Sequence, residues 1–130
     1  MPHVTSSIKK ELYRIEIQSP TGNIVIADEP LEMGGKDSGF SPKELLASAL
    51  AACTSATVRM YADRKQWSLD EVKIEIDLER DEAANKTVIN RKLEFIGNLD
   101  EEQRKRLLAI AIACPVHKIL TNPIEINSSM

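Results

Sequence analysis

The sequence predicts an α+β fold, and two patterns carry this prediction. Residues 72–78 alternate apolar with charged side chains, which is typical of an antiparallel strand with one buried face. Between Leu45 and Val58 no side chain is charged, which predicts a long helix buried at the centre of the molecule. Strands on both sides of such a helix favour an α+β fold over a parallel βαβ fold. At 130 residues the chain has the length of a single domain, 1–130.

The N-terminal region predicts a β-hairpin followed by a long loop. Apolar side chains alternate over residues 13–17, residues 24–26 are all apolar, and the segment 19–22 between them has turn composition. Residues 29–41 contain three Gly and one Pro and show no periodicity, so we expect a loop that crosses the fold.

The central helix has a predicted beginning and end. Ser41 is a suitable N-cap, Pro42 suits the first helical position, and Glu44 completes a capping box. Charged side chains return over residues 59–65, which predicts that the helix emerges into solvent there and ends near residues 66–67.

A second long strand is predicted from Thr87 to about Gly97, paired with the strand at 72–78. Its inward-facing positions include Arg91. We expect Arg91 at the margin of the sheet, and the alternative is that it pairs with a buried anion.

The C-terminal third predicts two helices and a strand. Asp100 and Gln103 form a capping box for a helix that continues to about residue 113. Pro115 disfavours helical geometry in Cys114, so a new short helix should begin at Pro115. We expect residues 124–126 to form a closing edge strand.

Charge and hydropathy exclude several classes of protein. Seventeen Lys and Arg against twenty Asp and Glu give a net charge of −3 without a long basic run, which disfavours nucleic-acid binding. The first ten residues lack the apolar stretch of a signal peptide, and no run approaches ~20 consecutive apolar residues. We therefore expect a soluble cytoplasmic protein without a membrane partner.

The two cysteines, Cys53 and Cys114, lie 61 residues apart and match neither a secreted disulfide framework nor a CxxC motif. Cys53 lies in the uncharged helix, where a cysteine often serves only for packing. Cys114 occupies a predicted N-cap, where free N–H groups favour a thiolate, and a protonated His117 would add to that effect. For both cysteines, packing alone remains the alternative.

A metal site is a weak alternative. Cys114 and His117 have ligand spacing, but the remaining histidine, His3, lies near the chain terminus. We expect neither a metal nor a cofactor.

The two cysteine segments together resemble the OsmC/Ohr family of osmotically induced and organic-hydroperoxide-resistance proteins. The resemblance rests on residues 41–54, the Gly34-Gly35 loop before them and residues 113–120, and it extends over about residues 12–126. It implies an intertwined homodimer with antiparallel sheets wrapped around long central helices. It also implies a peroxidase in which Cys53 is the peroxidatic and Cys114 the resolving cysteine, with an organic hydroperoxide as substrate and an external dithiol as reductant.

One position departs from the family pattern. The resembling peroxidases have a glutamate ten residues before the first cysteine, where it engages an activating arginine, and this chain has Lys43 there. Glu44 follows one residue later and lies on the opposite side of a straight helix from Cys53. Candidates for an activating group are Arg14, Glu44 and Arg91.

The leading hypothesis is a thiol-dependent organic hydroperoxide reductase that acts in oxidative or osmotic stress defence. The first alternative is a non-catalytic binding module that holds an apolar small molecule on the same scaffold. A purely structural dimeric domain is a third reading.

Overall fold

The computed structural model describes residues 1–130, and the chain divides into two compact units, Met1–Leu46 and Ala47–Met130. It confirms the α+β prediction with antiparallel strands and a long helix. The strands are β1 (Thr5–Ile8), β2 (Ile15–Gln18), β3 (Ile24–Ala27), β4 (Ser68–Asp81) and β5 (Lys86–Asn98), and the helices are α1 (Pro42–Lys65), α2 (Glu101–Ile112) and α3 (Pro115–Leu120).

The first unit contains a three-stranded antiparallel sheet in the order β1-β2-β3. The predicted hairpin of β2 and β3 is confirmed, and the Ser19 N–H donates to the Asn23 carbonyl (2.9 Å) across its turn. The prediction missed β1, because its sequence Thr-Ser-Ser-Ile has no apolar alternation and all four residues are exposed. Pairing with β2 makes this segment a strand.

The loop after β3 is organised by the buried carboxylate of Asp28. This group accepts hydrogen bonds from the N–H groups of Tyr13 (3.1 Å), Glu29 (2.7 Å), Lys36 (3.3 Å) and Ser38 (3.1 Å) and from the Ser38 hydroxyl (2.6 Å). The Ser38 hydroxyl, followed by these N–H groups, holds the pKa of Asp28 well below its usual range although burial opposes the shift. The loop is thus wrapped around one anion.

Helix α1 begins and ends as predicted. The Ser41 N–H donates to Glu44 Oε1 (2.9 Å) and the Glu44 N–H donates to Ser41 Oγ (3.2 Å), which is the reciprocal capping box. At the other end Gln66 has a φ of 57°, and the Trp67 N–H donates back to the Ala62 carbonyl (2.9 Å). This left-handed residue and backward bond form a Schellman-type stop.

The second unit is built on the long antiparallel pair β4 and β5, which confirms the two predicted strands. Its register shifts between Leu69 and Glu71, opposite Gly97. Gly97 has a φ of 151°, and a Cβ there would collide with the Ser68 carbonyl oxygen, so this irregularity requires glycine.

The core of this unit is aliphatic. It is formed by Val58 and Ala62 of α1, Leu69 of β4, and Leu107 and Ala111 of α2. The predicted capping box of α2 is present, with the Gln103 N–H donating to Asp100 Oδ1 (2.8 Å) and the Asp100 N–H to Gln103 Oε1 (2.9 Å).

Two expectations are wrong for the single chain. Helix α1 is not buried on all sides, because it buries only the stripe of Leu50, Thr54, Val58 and Ala62 and leaves Met60 64% exposed. Residues 124–126 form no strand, since no neighbouring strand pairs with them, and Ile126 is 82% exposed. By length and hydropathy alone α1 would suffice to cross a membrane, a criterion that core helices of soluble proteins also meet.

We predict that Asp28→Asn lowers the thermal unfolding midpoint at neutral pH, because an amide offers one fewer acceptor to the surrounding N–H groups. Since the folded pKa of Asp28 is lowered, its stabilisation is present above the unfolded value of about 3.9 and declines as pH falls below it. The difference between variant and wild type should therefore shrink on acidification.

Thermal unfolding followed by circular dichroism from neutral pH to about pH 3 measures this difference, and Asp37→Asn in the same loop is the control. A difference that stays constant with pH would show that the charge of Asp28 contributes nothing.

Candidate functional site

The structure brings the two cysteines together within the second unit. Cys53 lies in the middle of α1 and is half-buried, whereas Cys114 precedes α3 and is fully buried. Both are free thiols, and the N–H groups of adjacent residues, Val116 and His117, donate to their two sulfurs, which places the sulfurs close together. The residues singled out from the sequence therefore form one dithiol site.

The beginning of α3 contacts both sulfurs. Cys114 is the N-cap, as predicted, and its Sγ accepts a hydrogen bond from the His117 N–H (3.4 Å). The Val116 N–H donates to Cys53 Sγ (3.5 Å). Pro115 at the first helical position directs the chain into this turn without needing an N–H partner.

Arg91 reaches the site from β5, so the expectation that it lies at the sheet margin is wrong. One guanidinium nitrogen donates to Thr54 Oγ1 (2.9 Å) and lies 4.0 Å from Cys114 Sγ. The Thr54 hydroxyl in turn lies 3.6 Å from the same sulfur. The inward position of Arg91 on β5 thus directs its charge toward Cys114.

The imidazole ring of His117 contacts the guanidinium of Arg91. The second guanidinium nitrogen lies 3.0 Å from His117 Nδ1, and because a guanidinium only donates, Nδ1 is the acceptor. This contact therefore corresponds to the tautomer with its proton on Nε2. The structure thus adds a positive charge near Cys114, that of Arg91, which the sequence had not assigned to this thiol.

Opposing influences act on the pKa of Cys114. Burial is the largest and raises it, whereas hydrogen bonds from the His117 N–H, Thr54 and Cys53, together with the charge of Arg91, lower it. The combined effect of the hydrogen bonds and the charge prevails, so the pKa of Cys114 lies below that of an ordinary thiol.

A cavity of about 210 Å³ adjoins this cluster. Arg91 and His117 form part of its wall, so it extends to the residues that contact Cys114. The remaining lining combines aliphatic and hydroxyl side chains: Leu50, Thr87, Ile89, Leu120 and Thr121.

Other sequence candidates are engaged elsewhere. Arg14 lies 3.9 Å from Glu16 in the first unit, and the Glu44 carboxylate accepts the Ser41 N–H. No group of three His, Cys, Asp or Glu side chains is arranged to hold a metal ion.

No sequence pattern assigned a role to Thr54, yet it links Arg91 to Cys114. The signal that identifies it is a polar residue within an otherwise apolar stripe spaced four residues apart. Such a buried hydroxyl needs partners, which it finds in the Leu50 carbonyl (2.7 Å) and in Arg91 (2.9 Å).

Comparisons with known proteins agree on one family. A family model described as OsmC-like protein matches residues 35–129. An uncharacterized protein of Acinetobacter baylyi is 28% identical over 101 residues, which are 75% of this chain and 71% of that protein.

Solved structures share the fold. A Psychrobacter arcticus protein assigned to the osmotic stress and detoxification response has a TM-score of 0.80 at 24% identity, covering 92% of this chain and 88% of that one. An OsmC-like protein of Mycoplasma pneumoniae gives 0.79 at 21% identity, with 92% and 86% covered. The organic hydroperoxide resistance protein OhrB of Bacillus subtilis gives 0.64 at 24% identity, with 93% and 90% covered.

Because the two sulfurs accept hydrogen bonds from adjacent N–H groups and so lie close together, we predict that a mild oxidant such as diamide forms an intramolecular disulfide between Cys53 and Cys114. The intact mass should fall by two hydrogens, and both free thiols should disappear without a covalent dimer. Thiol counting and non-reducing electrophoresis measure this, with Cys53→Ser as the control. Crosslinked dimers in place of the internal bond would contradict the prediction.

Proposed function

Because the chain belongs to the OsmC/Ohr family, we propose that it is a thiol-dependent peroxidase that reduces organic hydroperoxides. The family associates it with organic hydroperoxide resistance and stress response in general. The observation that carries the finer proposal is the proximity of two free thiols, Cys53 and Cys114, whose sulfurs both accept N–H groups at the beginning of α3.

The proposed chemistry uses one thiol after the other. The Cys53 sulfur attacks the outer peroxide oxygen, the O–O bond breaks, an alcohol leaves and Cys53 becomes a sulfenic acid. The Cys114 sulfur then attacks Cys53, forming the disulfide and releasing water. An external dithiol restores both thiols by exchange. The partial exposure of Cys53 and the burial of Cys114 favour this order.

The adjoining cavity favours an organic substrate. Leu50, Ile89 and Leu120 line it, and apolar walls stabilise the alkyl part of a hydroperoxide better than they stabilise hydrogen peroxide. A volume of about 210 Å³ suits a small organic group.

The same cavity supports one competing function, a non-catalytic module that holds an apolar small molecule. In that case both thiols would be packing residues, and replacing them would leave ligand binding unchanged. The cysteine variants described below separate the two functions.

We also propose that the protein acts as a homodimer. On the side opposite its buried stripe, α1 exposes a second uncharged stripe that a single chain leaves uncovered. Its exposed residues, together with exposed apolar residues of α2 and α3, are Ala49, Ala52, Ala56, Met60, Leu108, Ile112 and Ile119. A second copy would cover these residues.

We also propose a cytoplasmic location, because a reducing cytoplasm suits two thiols that remain free beside each other.

We predict that Cys53→Ser abolishes turnover of cumene hydroperoxide with a dithiol reductant, because the attacking sulfur is lost. Cys114→Ser should allow one oxidation and then stop, leaving Cys53 open to overoxidation. Coupled reductant consumption and intact mass measure these outcomes, and Ser55→Ala, which keeps both thiols, is the control. Equal turnover in all variants would favour the binding module.

We predict a stable dimer that buries more than ~2,000 Å² of largely apolar surface. Sedimentation at micromolar concentration should give twice the chain mass of 14.5 kDa. Met60→Glu, which places a charge in the uncovered stripe, should shift the protein toward monomer, whereas Lys73→Glu on the exposed face of β4 should not. A folded wild-type monomer at this concentration is the outcome against the proposal.

A further inference from the structure

Several hydrogen-bond donors converge on the fully buried sulfur of Cys114. They are the His117 N–H at 3.4 Å and the Arg91 guanidinium at 4.0 Å, and the Cys53 thiol lies close by, since its sulfur accepts the N–H of the preceding residue, Val116. A neutral thiol is a weak acceptor, so several donors directed at one sulfur are better satisfied by a thiolate.

Thr54 supplies a further donor that depends on the charge of the sulfur. Its hydroxyl has one proton, which points either to the Leu50 carbonyl at 2.7 Å or to Cys114 Sγ at 3.6 Å. Because Arg91 donates to the Thr54 oxygen, it polarises the hydroxyl and strengthens its donation to an anion.

The charge of Arg91 provides an independent observation. The guanidinium is half-buried, forms no salt bridge with a carboxylate, and donates to two neutral groups, Thr54 Oγ1 and His117 Nδ1. A partly buried cation requires an anion nearby. The acidic group within its reach is the thiol of Cys114, whose thiolate would supply that anion.

Resting on the proposed peroxidase function, we infer that the reduced site holds a Cys53 thiol hydrogen-bonded to a Cys114 thiolate, which Arg91 stabilises. Cys114 then has two successive roles, as the base for Cys53 and as the nucleophile that closes the disulfide. His117 acts as a positioning residue, since its Nδ1 orients the guanidinium.

The two steps balance in this arrangement. The Cys53 proton moves to Cys114 Sγ, the Cys53 sulfur bonds the outer peroxide oxygen as the O–O bond breaks, and the leaving alkoxide takes the proton from Cys114. Cys114 is again a thiolate and attacks the Cys53 sulfenic acid, so that an S–S bond forms while the S–O bond breaks. The departing hydroxide takes a solvent proton, and the peroxide has received two electrons from the two sulfurs.

The first experiment measures the ionisation of Cys114 without a peroxide. In Cys53→Ser protein, the ultraviolet absorbance of the thiolate is followed against pH. Adding Arg91→Met should raise the midpoint by about one pH unit, because an opposite charge close to the group is lost. Arg91→Lys should raise it less, and Lys92→Met, which removes a cation from the exposed face of the same strand, should not change it.

The second experiment separates the two chemical steps in the protein with both cysteines. After a single addition of cumene hydroperoxide, sulfenic acid is trapped with dimedone and disulfide is counted by mass. Arg91→Met should slow disulfide closure about tenfold at neutral pH, in proportion to the lost thiolate, and raising the pH should restore the rate. Circular dichroism verifies that each variant is folded. If Arg91→Met does not fold, Arg91→Lys, which retains the charge, is used in its place.

The outcomes distinguish this inference from the peroxidase proposal. If the ionisation midpoint of Cys114 depends on Arg91 but the protein does not turn over peroxide, only the peroxidase proposal is overturned. Normal turnover with a midpoint unaffected by both Arg91 variants, or a closure rate that higher pH fails to restore, would overturn the role of Arg91.

Discussion

Both the core and the cysteine site depend on one buried stripe of α1. Its members are spaced four residues apart: Leu50, Thr54, Val58 and Ala62. The C-terminal part of the stripe packs with α2 in the aliphatic core, and Thr54 meets Arg91 and Cys114. Because an α-helix is rigid, packing one end of the stripe fixes the position of the other and also presents Cys53 to α3.

The electrostatics of the site are asymmetric between its two sulfurs. Cys114 receives the charge of Arg91 and the N–H of the α3 N-terminus, whereas Cys53 receives one long hydrogen bond from Val116. Accessibility has the opposite asymmetry, since Cys53 is the more exposed of the two. If one sulfur holds the negative charge while the other meets the substrate, a proton must move between them, and their proximity at the beginning of α3 allows this.

The Lys43 departure is consistent with that division. Lysine lies at the position where resembling peroxidases have an activating glutamate. The carboxylate of Glu44, one residue later, accepts the Ser41 N–H and caps the beginning of helix α1. The cation at the dithiol comes instead from β5, within the same unit as both cysteines. Arg91 therefore links the long strand pair, β4 and β5, directly to Cys114.

Local patterns in the sequence determined the α+β class, the strand pair β4 and β5, the capping boxes and Cys114 as an N-cap, because each depends on neighbours a few residues away. Tertiary structure decided the rest. The polar segment of β1 became a strand only by pairing with β2, and residues 124–126 formed none because no strand pairs with them. The alternation along β5 makes Arg91 an inward-facing residue, but an inward-facing residue can lie at the margin of a sheet or in a site. The sequence alone therefore left both positions open. Only the packing of β5 against α1 and α3 brought its charge to a sulfur 23 residues away along the chain.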